Sequence, residues 1–546
     1  MAVKNSVIGP HWRTARAIER TKFGDGKPHG PISTADNETV TTCSLPILPE
    51  LTMPRAKPQA AMRALAMICV LGAIASRLVY LIEPFNGDGA MFAYMGKLVA
   101  QGGRFGTDLV DNKFPTAGFV TSIIWRAFDP WWPGYVILQL LMTFSATAIL
   151  VRSAARAFGE EARWATFLPT IVLLNLNATV MGGFQLETIQ TFFACIAAAC
   201  SLEALTGRDW RDAFAAGLAA GCATLVKPTG GAVLGALFLA YLPSPALQGR
   251  VRSLLSAILG FSVPIFAAGI WLFESDQLTQ LPIIARQISE YASSTTFELL
   301  DLYRPLCLIL LFGVAVLIRG WVYRRRSVPN IASLSIWVFA ASWLVLEFIG
   351  VVVQRRMYAY HFLPLAAPSA LMLGALPRRT TVAQLAGILA IPLIFNIWGS
   401  IETAQEQLDH PPIWPAVTQW LNEHCIAGER IWRDQTPDVL LHSDLRSASR
   451  IQLTFIFMNS DTSAQRFSAV LLDDLAVHRP RFIVLPADMA DYVHHHTKMV
   501  SELARNPQRA ASFARAWGDI EAFAQKDYLP VQKIGDEMIW QRKPQP

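Results

Sequence analysis

Between residues 62 and 400 the chain is a succession of apolar runs separated by short loops that carry most of the charge. Each run is about 20 residues long, which as a helix matches the ~30 Å hydrocarbon core of a bilayer. Only structures that satisfy every backbone group internally survive in that core, so long apolar helices are the solution open to such runs. The composition agrees: 53% of residues are hydrophobic and 16% are charged, and the mean hydropathy is +0.33. An ordinary soluble globule is excluded. The fold class expected is an α-helical polytopic membrane protein.

The flanks read differently. Residues 1–60 mix Pro, Gly, Thr and basic residues without apolar periodicity, as a disordered cytosolic tail does. They lack the layout of a cleaved signal peptide. Residues 402–546 are polar again. Helices are expected at 413–424, 466–477, 488–504 and 509–524, with strands at 430–432 and 482–486 and a strand pair near 529–541. Such alternation indicates a C-terminal α/β domain. It holds no Gly-rich phosphate loop. His494, His495 and His496 are adjacent, so they do not share one helix face and read as surface residues, not a metal tract. Seven cysteines occur, with no CxxC among them, and point to neither a disulfide framework nor a zinc site. The formal charge of +6 lies mainly in short loops. It reads as membrane orientation and gives no sign of a nucleic-acid partner.

Positive loops stay in the cytoplasm. Arg13, Arg16, Arg20, Arg55, Lys57 and Arg63 precede or open the first span, near 62–83, which places the N-terminus inside. The segment 116–128 would make only about 20 Å of helix. The next run, 134–151, ends in Arg152, Arg156 and Arg163. Counting 116–128 as a span would put those arginines outside, so it is expected to lie at the outer surface. The other spans are expected near 163–181, 185–205, 212–226, 229–244, 253–273, 305–318, 331–353, 359–376 and 381–400. The total is about eleven. A membrane domain of 61–401, with an outer loop at 84–133, then leads to an extracytoplasmic domain at 402–546.

This topology gathers ionisable residues on one side. Asp88, Asp108, Asp111, Lys113, Glu187, Lys227, Arg355, Arg356, Tyr358, Tyr360 and His361 all fall at outer span ends or in outer loops. A carboxylate held near apolar walls can act as a general base. Arginines and lysines near the bilayer surface can clamp a phosphate. A base beside a phosphate clamp suits transfer from a lipid-linked phosphate donor to a hydroxyl or amine acceptor. For several residues a plainer role stands beside the functional one. Asp108 and Asp111 supply loop polarity or bind sugar. Glu187 is a solvated helix-end carboxylate or a substrate contact. Lys227, before Pro228, satisfies carbonyls freed by the proline or serves the site. Tyr358, Tyr360 and His361 belong to an interfacial belt or to the site. Glu347 lies within an apolar run and carries no assigned role.

The stretch 86–115 begins with Asp88 just after the first span and Tyr94 six residues on, and continues through a Gly-rich turn to Asp108, Asp111, Asn112, Lys113 and Pro115. It resembles the first outer loop of the GT-C glycosyltransferases. The branch is that of the dolichyl-phosphate-mannose protein mannosyltransferases, the aminoarabinose transferase of lipid A and similar bacterial lipopolysaccharide sugar transferases. The likeness continues through residues 183–187, 225–228 and 355–364 and covers about 62–400. It implies a bacterial inner-membrane, multi-pass enzyme with its active site and C-terminal domain on the periplasmic side. The donor would be a polyprenyl-phosphate sugar and the acceptor an envelope glycan, lipid or protein, with inversion at the anomeric carbon. By the resemblance, Asp88 is the general base, Lys113 contacts the lipid phosphate, Glu187 assists acceptor or donor-sugar binding, and Arg355 and Arg356 lie near the phosphate. Here Phe114 separates Lys113 from Pro115, and Gly89 follows Asp88, which removes a paired-acid role there. Metal dependence varies among such enzymes; no cofactor is required by this sequence, and nothing in it demands a divalent metal.

Two other classes remain in view. A transporter or flippase of a lipid-linked glycan should hold its ionisable groups near the bilayer midplane, often with an internal repeat. A scaffold would use the membrane part only as an anchor, for which eleven spans are excessive.

Overall fold

The computed structural model describes residues 58–82, 87–111, 113–180, 183–207, 209–243, 247–293, 331–354, 358–375, 382–409, 411–434, 437–499, 501–504 and 506–544. The span expected near 305–318 and the pairs Arg355, Arg356 and Arg378, Arg379 lie outside these residues. So does the expected tail, except for 58–60, which open the first helix.

The helices of the apolar part run in this order: α1 (Pro58–Leu78), α2 (Gly87–Ala100), α3 (Pro115–Phe128), α4 (Trp132–Phe158), α5 (Ala162–Leu173), α6 (Asn177–Val180) and α7 (Leu186–Gly207). They continue as α8 (Trp210–Val226), α9 (Ala232–Tyr241), α10 (Leu247–Glu274), α11 (Leu281–Ser293), α12 (Ile331–Gln354), α13 (Ala366–Gly374) and α14 (Val382–Asp409). Among the described residues, 6 helices are long and apolar enough to cross a membrane: Gln59–Leu81, Trp132–Phe158, Leu186–Gly207, Gly249–Glu274, Leu334–Gln354 and Val382–Asp409. The chain is a multi-pass membrane protein. Each of these helices coincides with an expected span. Other expected spans are shorter or broken. Near 163–181 the helix stops after Leu173 and resumes at Asn177. In the gap, the Asn175 side chain donates to Ile171 O at 2.8 Å and accepts from Arg77, competing with the backbone ladder. Near 359–376 the chain enters as a 3₁₀ stretch, Ala359–Leu365, with Pro364 inside it.

Small residues let the helices approach. A Cβ added at Gly217 of α8 would overlap Ala257 O of α10, and one at Gly260 would overlap Phe214 O. Between apolar helices in lipid, such close approach supplies the packing that the hydrophobic effect cannot. Arg77 is among the charged residues sunk in this part. The Arg77 guanidinium is fully buried and donates to Asn175 Oδ1, Gln139 Oε1 and Leu174 O at 2.9–3.0 Å. It thereby ties α1 to α4 and to the break after α5.

α2 and α3 form a layer of two helices. Phe114 is extended (φ −70°, ψ 146°) because it precedes a proline, and Pro115 opens α3 at a position where its missing N–H costs nothing. α3 crosses α2 so tightly that a Cβ at Gly96 would lie 2.5 Å from Thr121 O.

The C-terminal part carries a 5-stranded mixed sheet in the order β2-β1-β3-β5-β4. Its strands are β1 (Arg430–Arg433), β2 (Arg446–Ser447), β3 (Phe482–Pro486), β4 (Tyr528–Ile534) and β5 (Glu537–Arg542). The helices are α15 (Trp414–His424), α16 (Pro437–Leu441), α17 (Asp461–His478), α18 (Met489–Met499), α19 (Ser501–Ala504) and α20 (Pro507–Asp527). The expected helices and strands are all present. β2 and α16 were not expected, being too short to show periodicity.

Side chains alternate across these strands. Trp432, Ile483 and Leu485 face a core closed by α17 and α20. Ile431, Phe482, Val484 and Ile539 face the other way and share one apolar cluster with Met91, Met95, Phe105, Ile124 and Trp125. α16 packs on α2, and through it this face of the sheet and the α2–α3 layer share one core.

Candidate functional site

A cavity of about 600 Å³ opens where α2, the loop before α3, and the ends of α7, α8, α11 and α12 meet. Apolar side chains from α9, α11 and α12, including Ile288, Leu346, Ile349 and Val353, form most of its wall. Its polar groups include Lys113, Glu187, Lys227, Gln354, Tyr360 and His361.

Glu187 sits in the first turn of α7, where the helix dipole favours a carboxylate. Its side chain is 2% exposed. The Lys227 ammonium donates to Glu187 Oε1 and, at 3.3 Å, to Gln354 Oε1. Lys227 has this reach because Pro228 forces it out of helical geometry (φ −147°, ψ 137°) at the end of α8. Of its two sequence readings, its side chain takes the site: the amine bonds side chains of α7 and α12. His361 Nε2 stands 3.9 Å from the same Glu187 oxygen. Tyr360 packs edge-on against His361 at 4.6 Å and stacks with Tyr358 at 5.5 Å. The Lys227 ammonium lies 5.9 Å over the Tyr360 ring. Glu187 is thus no solvated helix end, and His361, 5% exposed, is no belt residue.

The other end of the cavity is a loop. Lys113 Nζ lies 3.2 Å from Asp111 Oδ1, and the Lys113 backbone N–H donates to the same oxygen at 3.0 Å. The ammonium also rides 5.5 Å over the Phe92 ring. Burial works against charge on this amine, but Asp111, then Asp88 and Glu187, outweigh it and hold the amine above its ordinary value. Asp88 stands in the first turn of α2, half-buried, and its charge acts on both Lys113 and Tyr360. The left-handed Gly87 (φ 48°) makes the turn into α2.

Asp88, Asp111, Lys113, Glu187, Lys227, Tyr358 and His361 are therefore brought together. Asp108 is not. It is exposed and accepts from the Arg104 backbone N–H at 2.8 Å, closing its own turn. Arg355 and Arg356 lie outside the described residues, directly after Gln354. Gln354 itself was missed, as were Phe92 and Tyr291; a polar residue closing an apolar span next to two arginines was the available signal. Glu347, buried in α12, accepts from Trp343 Nε1 at 3.1 Å and borders a small void beneath the Glu187–Lys227 pair. Among the described residues, no group of three or more His, Cys, Asp or Glu is arranged to hold a metal.

Residues 113–271 match the family model described as dolichyl-phosphate-mannose-protein mannosyltransferase. A comparison with curated protein sequences finds no match. Among solved structures, the fold is similar to that of ArnT from Cupriavidus metallidurans in the apo state, with TM-score 0.57, 13% identity and coverage of 89% of this chain and 100% of that one. It is likewise similar to the same protein bound to undecaprenyl phosphate, with TM-score 0.53, 13% identity and coverage of 89% and 99%.

Proposed function

From a GT-C fold related to the aminoarabinose transferase and the protein mannosyltransferases, we propose that this chain transfers a sugar from a polyprenyl-phosphate donor to an envelope glycan, lipid or protein. The work is done at the outer face of the inner membrane, with about eleven spans and residues 402–546 on the periplasmic side. The Cupriavidus protein was solved with undecaprenyl phosphate, and a donor of that chemistry fits the apolar wall here.

The observation that carries the reading is the cavity's two-sided make-up. One wall is apolar, formed by the candidate span α12 together with α9 and α11; the rim carries Lys113 under the charges of Asp88, Asp111 and Glu187. A lipid tail suits the first and a phosphate the second. Asp88 takes the proton from the acceptor hydroxyl as its oxygen attacks the anomeric carbon. The bond from that carbon to the phosphate oxygen breaks, with inversion, and the polyprenyl phosphate departs. Lys113, with Arg355 and Arg356, steadies the charge left on it. Glu187 holds Lys227 in place and contacts the sugar or the acceptor. A transporter is disfavoured because these groups cluster at span ends, not at a midplane.

The test is transfer from a radiolabelled polyprenyl-phosphate sugar by the purified protein in nanodiscs, with envelope glycans as acceptor. Label moving into the acceptor, and lost in Asp88→Asn, supports the reading. Donor consumption equal with and without the protein rejects it.

A further inference from the structure

A second cavity, about 650 Å³, lies between the α2–α3 layer and the C-terminal part, away from the first. Its volume falls in the range of ~300–1,000 Å³ usual for ligand pockets. Its floor is Trp125, Leu441 and Leu445, all buried. Its rim carries Gln101, Asp129, Asn422 and Asp444, all exposed. Lys97 and His442 are the basic residues among those lining it. The Lys97 ammonium is engaged: it donates to Leu440 O at 2.5 Å and to Ser443 O at 3.0 Å, and so staples α2 to the end of α16. His442 stacks on Trp414 at 4.7 Å, and burial and then the Lys97 charge favour its neutral form.

We propose that this cleft binds a neutral, hydroxyl-rich oligosaccharide. The rim groups are amides and carboxylates, which pair with sugar hydroxyls as donors and acceptors. An anionic ligand is disfavoured: two carboxylates face it and the one ammonium is already bonded to carbonyls. The cleft is therefore no second site for a phosphate donor. α2 links it to the first cavity. Asp88 stands in the first turn of that helix and Lys97 in the last, about 14 Å apart along the axis at ~1.5 Å per residue. A glycan held in the cleft rests, in this reading, on the transfer proposed above: it is the body of the acceptor, and its end faces Asp88.

The experiment uses the full chain in nanodiscs with Ala427→Cys as a reporter at the rim, its alkylation read peptide by peptide by mass spectrometry. Maltotriose, mannotriose and chitotriose are the neutral probes; glucose 1-phosphate and inorganic phosphate are the charged ones. At least one trisaccharide should slow alkylation fivefold or more, and the charged probes should not. Asp444→Asn with Asn422→Ala should erase the protection, as should Gln101→Leu, which removes a rim group from the other layer. No protection by any trisaccharide, stronger protection by phosphate, or protection that survives both variants would overturn the proposal. Donor-dependent transfer is measured alongside. Transfer without glycan protection sinks this site alone, and glycan protection without transfer sinks the proposed activity alone.

Discussion

Two lysines face the same cavity and are held in opposite ways. Lys227 is clamped between side chains of two helices far apart in sequence, Glu187 and Gln354. Lys113 leans on Asp111, two residues away in its own loop, and on the face of Phe92. The first arrangement is rigid and costly to disturb, because an ion pair with a 2% exposed carboxylate leaves a buried charge behind if either partner is lost. The second stays within one loop, although Asp111 is itself only 6% exposed; under the proposed reading the amine exchanges that carboxylate for an incoming phosphate without any helix moving. One end of the cavity is built to stay, and the other to receive.

The largest effect should come from the receiving end. Asp88→Asn should lower turnover by about 10²–10⁴-fold, the usual worth of a general base, with thermal stability unchanged. Transfer assays with a labelled donor read this, and near-normal turnover would remove Asp88 from the role. At the fixed end, Lys227→Ala should cost about 3–5 kcal/mol of stability, since Glu187 is left uncompensated. Thermal unfolding in detergent checks it, and Glu187→Leu combined with Lys227→Met should restore most of the loss. Equal melting of wild type and Lys227→Ala would show that the two lysines do not differ as described. Lys113→Ala leaves Asp111, only 6% exposed, with the loop's own backbone N–H as a partner, so it should destabilise less than Lys227→Ala. It should weaken donor binding by roughly 10–100-fold, the worth of a bond to a charged group. An unchanged apparent donor affinity would take Lys113 off the phosphate.

Six of the expected spans were legible because the bilayer imposes a length that hydropathy reports directly. Four of the five strands of the C-terminal sheet were legible from short β-branched and aromatic runs between turn residues; β2 was too short to show. Loop charge alone placed Asp88, Lys113 and Glu187 on one side, and the structure brings them within electrostatic reach of one another. What the sequence withheld is pairing. Nothing in the neighbourhood of Glu187 announces that its partner is 40 residues on, or that Gln354 lies 127 residues beyond that partner. The breaks near Asn175 and Pro364 were equally hidden, since an apolar count is blind to a side chain that bonds the backbone of its own helix.

The smallest effect lies far from the cavity and serves as a control on it. Burial would raise the Asp474 carboxyl, but bonds from Arg450 and Ser449 outweigh it and hold the group below its ordinary value of 3.8. A carboxyl lowered by folding stabilises the chain above that ordinary value, and the contribution fades as the pH falls through the lowered one. Arg450→Ala should flatten the acid side of the stability profile, read by denaturant unfolding from pH 6 to pH 3, while donor binding at the cavity stays as it was. An unaltered profile would place the acid sensitivity elsewhere.

α11 has a consequence of its own. It offers Ile288 and Tyr291 to the cavity, while Glu290, on the same helix, is gripped by Arg466 of α17 at 2.9 Å. The cavity wall and the C-terminal layer are therefore joined through α11, whose one side lines the cavity while Glu290 is anchored to α17.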